Sequence, residues 1–555
     1  MSAFTQGPPT LRHPFDSDRA FRLFLGRLPA EVKAAIEPGL YRLGERAIGE
    51  MPPLAAAAEA QPPRHLPFDA WGRRVDQIEV SDAWKRLHAI AAEEGIVATA
   101  FERREGEHSR VHQLLRLYLY HPSSAIASCP MAMTDGAARV LELQGSPELK
   151  ERVLPRLLSR DPASFWTSGQ WMTEKTGGSD VSGTSTVALP AEDGSFRLHG
   201  IKWFTSATTA EVALALARPE GAAEGSRGLS LFLVELRDEA GALRGVRIER
   251  LKDKLGTRAL PTAELQLEGA HAWQVGPAGR GVATVATLLN ITRLYNSVCA
   301  VGSLRRGLDL AWDYAEKRIA FGRPLIEQPL HLRTLAELEI EHAGAFLLTF
   351  RAGELLGREE VGIANEDERL LLRLLTPLAK LETARQAVAG ASEVLEAFGG
   401  AGYVEDTGLP RILRDVQVLA IWEGTTNVLA LDALRAIEKE GALPALSAEL
   451  ERCLGRDGVP AELAQRVKAA QEAIAVEGGR RFAGGRAEVE ASARAYARSL
   501  ARLAMAALLC EQAAGGDPVA TALAEGFVPT LERAVESLRA FPPGLAAALR
   551  PSRTG

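Results

Sequence analysis

Residues 196–204 read Phe-Arg-Leu-His-Gly-Ile-Lys-Trp-Phe, an alternating stretch with a turn glycine at its centre. A period of two in place of the helical 3.6 predicts a strand. Two apolar runs of strand length follow, Val212-Ala-Leu-Ala-Leu-Ala217 and Leu229-Ser-Leu-Phe-Leu-Val-Glu-Leu236, and turn signals such as Glu192-Asp-Gly194 punctuate the region. On either side the spacing is helical. Trp84, Leu87, Ile90 and Ala91 set the pattern upstream, with Val140, Leu141 and Leu143 further on, and the period returns after Gly281. The expected fold is mainly α with an inserted, β-barrel-like domain. Residues 1–164 form an N-terminal extension and helical domain, 165–281 the β domain, and 282–440 a C-terminal helical bundle. A looser stretch (Gly441, Pro444, Gly455, Gly458, Pro460) then opens an extra helical domain over 441–555.

Composition bounds the function. The 555 residues are 46% apolar and 25% charged, an ordinary globular balance with material for several domains. A net charge of −6 argues against a chain built throughout to coat nucleic acid or an anionic membrane, so any such contact needs a local patch. The four cysteines have no CxxC spacing, which fits a reducing compartment, and the histidines suggest no metal site. The N-terminus carries no leader pattern, and the apolar run Leu503–Cys510 is too short to span a bilayer, so a soluble cytoplasmic protein is expected. Gly276-Pro-Ala-Gly-Arg-Gly281 lacks the strand–loop–helix setting of a nucleotide loop and reads as a turn.

Five segments carry candidate chemistry. Met172-Thr-Glu-Lys-Thr-Gly-Gly-Ser-Asp-Val181 concentrates hydroxyls and glycines able to present donors to a flat polar ligand. In Lys202-Trp-Phe-Thr-Ser206, Trp203 is suited to lie against a planar ring while Thr205 bonds its edge; a core-facing aromatic is the alternative. Arg318-Ile-Ala-Phe-Gly-Arg-Pro324 offers a guanidinium for phosphate and Phe321 for stacking. Phe398-Gly-Gly-Ala-Gly402 leaves backbone open to a pyrophosphate. Last, Ile421-Trp-Glu-Gly-Thr-Thr-Asn427 sets Glu423 between an apolar wall and a helix start, a place for a general base or for an acid that merely favours the helix dipole.

In this order and spacing the five segments resemble the acyl-CoA dehydrogenase family over roughly residues 80–440. Leu251-Lys-Asp-Lys-Leu-Gly256, Cys129-Pro-Met-Ala-Met-Thr134 and the terminal extensions are similar to its AidB-like, adaptive-response branch. The resemblance implies FAD, with Met172, Thr173, Gly178, Ser179, Trp203, Phe204 and Thr205 around the isoalloxazine. It puts Arg318, Phe321, Gly399 and Gly400 against the FAD of a neighbouring subunit, and Thr425 and Asn427 by the flavin's phosphates. A homotetramer and an electron-transferring flavoprotein as partner follow from the same likeness. Glu423 matches the family's base. A subset takes its base from the position before the arginine that matches Arg293, but here that residue is Thr292. The implied reaction is α,β-dehydrogenation of an acyl-CoA or related small substrate. Two departures touch the adenosine side: Pro329 and Glu396 stand where glutamines are usual.

The AidB-like branch also implies binding to double-stranded DNA through the extra domain, in a flavoprotein of the DNA-alkylation response. Residues 480–502 hold Arg480, Arg481, Arg486, Arg494, Arg498 and Arg502, the last three on one helix face. Such a stripe suits successive phosphates. A solvated face and intersubunit ion pairs are the alternatives.

Overall fold

The computed structural model of the protein describes residues 6–238, 241–539 and 549. The first five residues and most of the tail after Arg539 lie outside them.

The expected β domain is a closed ring of strands. Val212–Pro219 pairs antiparallel with Ser230–Glu235, and in parallel with both Ser168–Trp171 and Val187–Pro190. The ring continues through Phe196–Ser206 and Thr262–Val275 and returns to Ser230–Glu235. Residues 212–217 are buried without a break. One face (Ala213, Ala215, Ala217) packs with Phe232 and Leu265, the other (Val212, Leu214, Leu216) against Val140, Leu141 and Val153 of the preceding helices. Coverage on both faces is why this strand reads as a continuous apolar run.

Three long helices organise the bundle: Gly281–Lys317, Pro329–Glu360 and Glu366–Ala397. A capping box of Asn365 and Glu368 starts the third. The shorter helix Thr426–Glu440 packs on it.

Two features depart from the sequence reading, in which the Pro-rich stretch Gln61-Pro-Pro-Arg-His65 divides two helical stretches and residues 441–555 are an extra helical domain. The Pro-rich segment after residue 61 is a β-hairpin, Arg64–Phe68 with Arg74–Glu79, which ties the N-terminal region to the β domain: Asp76 accepts from the Ile248 N–H and Arg74 donates to the Ile248 carbonyl at 2.6 Å. The helices after residue 440 also have no core of their own. Helix Arg486–Ala513 packs on the bundle helices, and Met505, Leu508 and Phe527 join one hydrophobic cluster with Phe24, Phe346 and Leu378. The fit is close at Gly344, where a Cβ would stand 2.8 Å from the Phe527 ring.

Candidate active site

The chain enters the site through helix Leu409–Gln417 and leaves along Thr426–Glu440, whose N-cap is Thr425. Between them Glu423 has φ 57° and Gly424 φ 103°. A left-handed glutamate costs about 1–2 kcal/mol, so neighbouring groups must hold it there. Three successive carbonyls are gripped. Lys380 Nζ donates to the Trp422 carbonyl at 2.7 Å and to that of Gly424 at 2.6 Å. Arg293 Nε donates to the Glu423 carbonyl at 3.3 Å while its Nη1 is anchored on Asp432 at 2.8 Å. The Trp422 indole N–H donates to Asn296 Oδ1, and Asn296 in turn donates to the Leu419 carbonyl. The half-buried Glu423 carboxylate accepts a hydrogen bond from the Thr292 hydroxyl at 2.6 Å.

Lys380 is fully buried. Burial pushes its ammonium down to about 7, with the Glu423 carboxylate holding it up and the Arg293 guanidinium opposing. Its part in the site went unseen in the sequence. The available signal is a lone cation in the apolar run Leu374-Leu-Thr-Pro-Leu-Ala-Lys380. Asn296 was missed as well.

On the β domain, the 172–181 loop is set by an ion pair internal to its own motifs. Glu174, 3% exposed, accepts from Lys202 Nζ at 2.8 Å and from the backbone and hydroxyls of Ser185 and Thr186. Burial pushes the Glu174 carboxyl up, but Lys202 and these donors outweigh it and hold it at about 2. Its contribution to stability is present above the ordinary carboxylate range and is lost as pH falls toward 2. Lys202→Met is expected to cost about 3–5 kcal/mol by leaving a buried charge unpaired. Chemical denaturation monitored by circular dichroism checks the cost, which is expected to shrink as pH falls, because protonation of Glu174 then removes the unpaired charge.

Trp203 follows Lys202, and its backbone N–H donates to the Thr173 carbonyl at 3.0 Å. Lys252 Nζ lies 3.7 Å from the Trp203 ring centroid. Met172 and Thr173 are half-buried, while Gly178, Ser179 and Phe204 are exposed. Thr205 is fully buried, and its hydroxyl donates to the Ala263 carbonyl at 2.8 Å. The strand slips register between Lys202 and Thr205, which changes the direction that simple alternation implies.

Arg318 is the C-cap of helix Gly281–Lys317, and Gly399 and Gly400 follow Phe398, whose ring meets Tyr314 of that same helix. Phe321 stands 97% exposed at the tip of the hairpin Ile319–Ala320/Arg323–Pro324. Arg318 closes the helix that carries Arg293, twenty-five residues on, or roughly 37 Å along the axis at the α-helical rise.

The arginines of the stripe are largely paired within the chain. Arg481 is buried against Glu477, Glu488 and the Leu538 carbonyl. Arg498 pairs with the fully buried Glu382 at 2.7 Å. Arg502 pairs with Glu341 at 2.7 Å and with Glu382. Arg480 pairs with Glu477, and Arg486 with Glu438 and Glu490. Sequence places Arg498 and Arg502 on one face, and that face lies against the bundle. Among the described residues, Arg494 alone of the six has no carboxylate partner; its Nη1 donates to Asn427 Oδ1 at 3.4 Å.

Known proteins give the context for this arrangement. Residues 279–438 match the acyl-CoA dehydrogenase C-terminal domain, 169–270 its middle domain, and 8–162 the adaptive response protein AidB N-terminal domain. The Caenorhabditis elegans acyl-CoA dehydrogenase family member 11 is 45% identical over 92% of this chain and 86% of its own length. The crystal structure of C. elegans ACDH-11 in complex with C11-CoA superposes with a TM-score of 0.89 at 43% identity, covering 96% of this chain and 93% of that one. The putative acyl-CoA dehydrogenase AidB of Escherichia coli K12 is 34% identical over 73% of this chain and 74% of its own length. Catalytic and middle domains that match in register, and relatives this similar over most of their length, make the chain a member of the FAD-dependent acyl-CoA dehydrogenase family, oxidoreductases acting on CH–CH bonds, with an AidB-type N-terminal domain.

Proposed function

We propose that the chain dehydrogenates an acyl-CoA between its α and β carbons, with Glu423 as the base and FAD as the cofactor. The observation that carries this is the Glu423 carboxylate itself: half-buried, oriented by the Thr292 hydroxyl, on a strained turn pinned at three consecutive carbonyls. A side chain with no role in chemistry would not need such a hold.

The residues present suit a flavin nucleotide. Gly178 packs so closely on Thr173 that a Cβ would stand 2.5 Å from its hydroxyl oxygen, which keeps the loop backbone bare for a ligand. Trp203 supplies an indole plane, and Thr425 and Asn427 are exposed at the start of the helix after the base. FAD, when bound, accepts the hydride. This chain's groups do the rest: Glu423 takes the α-proton, Thr292 fixes which carboxylate oxygen faces it, and the Trp422 wall limits water. A C11-CoA complex of a relative supports an acyl thioester as the substrate class.

The exposed Phe321, far along the helix from Arg293, favours service to the cofactor of a second copy, which makes a dimer the smallest competent unit; the family likeness extends this to a homotetramer. Reduced cysteines fit the cytoplasm, and an electron-transferring flavoprotein is the fitting acceptor. Among the described residues no helix is long and apolar enough to cross a membrane. Duplex-DNA binding loses the inward-turned Arg481, Arg498 and Arg502 as a contact surface.

The test is anaerobic titration of the purified yellow protein with a series of saturated acyl-CoAs. Bleaching of the flavin absorbance is expected, with one chain length fastest. A flavin that no acyl-CoA bleaches sinks the dehydrogenase reading.

A further inference from the structure

Among the described residues, Arg494 is the one member of the stripe without a carboxylate, and it has a companion. Arg385, half-buried on helix Glu366–Ala397, makes no ion pair among the described residues. Arg498 pairs with Glu382 at 2.7 Å, and Arg494 and Arg385 stand one turn from them on the same two packed helices, which brings the two guanidiniums near each other. Burial, then Arg385, then Arg498 push Arg494 below its ordinary value, with only Glu382 opposing. Glu382 is already engaged by Arg498 and Arg502. This leaves a surplus of positive charge beside Asn427, at the start of the helix that follows Glu423.

We propose that Arg385 and Arg494, with Asn427 between the elements they come from, form a phosphate site that takes the diphosphate of FAD. The extra C-terminal helices thereby supply a cofactor contact to the dehydrogenase core. This rests on the reading above that the flavin's phosphates lie by Thr425 and Asn427. Two observations converge on it. Neither guanidinium meets a carboxylate among the described residues, and unpaired guanidiniums are the side chains best matched to phosphate oxygens. Arg494 already reaches Asn427 at 3.4 Å. A diphosphate between the two arginines would also relieve their mutual repulsion, which is a cost in the empty site.

The experiment compares binding of FAD with that of riboflavin, which has the ring but no diphosphate. Flavin fluorescence is titrated into flavin-stripped wild type, Arg494→Gln, Arg385→Gln and the double variant, at low and high salt. The as-purified proteins are assayed in parallel for flavin retained per chain. The double variant is expected to weaken FAD by roughly 10- to 100-fold, the range for losing hydrogen bonds to a charged group, with riboflavin affinity unchanged. Its FAD affinity should also depend less on salt. Arg494→Lys, which keeps the charge and loses the fork, should fall in between. Equal thermal midpoints of the stripped proteins exclude misfolding. If wild type binds FAD and the double variant binds it as tightly at both salts, the phosphate site is wrong while the flavoprotein reading stands. A double variant that loses duplex DNA but keeps FAD overturns it in favour of nucleic acid. A wild type that binds no FAD sinks the functional reading itself.

Discussion

Glu423→Gln protein is expected to keep its flavin and its fold while losing about 10²- to 10⁴-fold in the rate at which an acyl-CoA reduces that flavin, the range for removing a general base. The substitution is isosteric. The amide oxygen still accepts from the Thr292 hydroxyl, and Arg293 and Lys380 bind backbone carbonyls that the change leaves in place. Flavin content, thermal midpoint and the affinity for acyl-CoA should therefore match wild type. Only proton removal is lost. Stopped-flow absorbance under anaerobic conditions measures it. Glu423→Asp is a useful second arm, because shortening the side chain draws the carboxylate back from Thr292 while keeping a base. It should fall between wild type and Gln. Equal reduction rates in wild type and Glu423→Gln would show that another group takes the proton.

The residues on which this expectation rests were unequally visible in the amino-acid order. The turn at Trp422-Glu423-Gly424 was legible because an acid between an aromatic wall and a Gly-Thr-Thr helix start is a local pattern. The β domain was legible for the same kind of reason: runs such as residues 212–217 are continuous and short. What stayed hidden depends on contacts far apart in the chain. Lys380 lies more than forty residues from the carbonyls it holds, and nothing in its own helix says which backbone it meets. Periodicity puts Arg494, Arg498 and Arg502 on one face but does not tell whether that face looks at solvent or at Glu382 and Glu341. The burial of Thr205 follows a register slip after Lys202 that is invisible in the alternation of residue types. The hairpin at 64–79 carries Pro67 and a turn at Asp69-Ala-Trp-Gly72, which read as a break when the strands are short and edge-like.

Lys380→Met is expected to lower the flavin reduction rate by about 100-fold or more without displacing the flavin, a loss of the size that small misplacements of a catalytic group produce. The reasoning begins with the backbone. Glu423 at φ 57° holds a conformation that costs about 1–2 kcal/mol, and Lys380 grips the carbonyls on both sides of it. Without those donors the Trp422 and Gly424 carbonyls are left unsatisfied, at about 1–3 kcal/mol each. The cheapest relaxation is for residue 423 to leave the left-handed region, and that movement carries the carboxylate off Thr292. The wild-type pH profile supplies a signature that a purely structural role would not give. With its ammonium at about 7, Lys380 is charged below that pH and neutral above it. The neutral amine keeps two N–H donors, enough for both carbonyls, so the turn persists while the positive charge beside Glu423 disappears. The reduction rate of wild type should therefore inflect near pH 7. Lys380→Arg, charged at every accessible pH, should lack that inflection yet recover part of the rate lost in Lys380→Met. If Lys380→Met reduces its flavin as fast as wild type with the same pH profile, Arg293 and packing alone hold the turn, and the buried lysine has no part in placing the base.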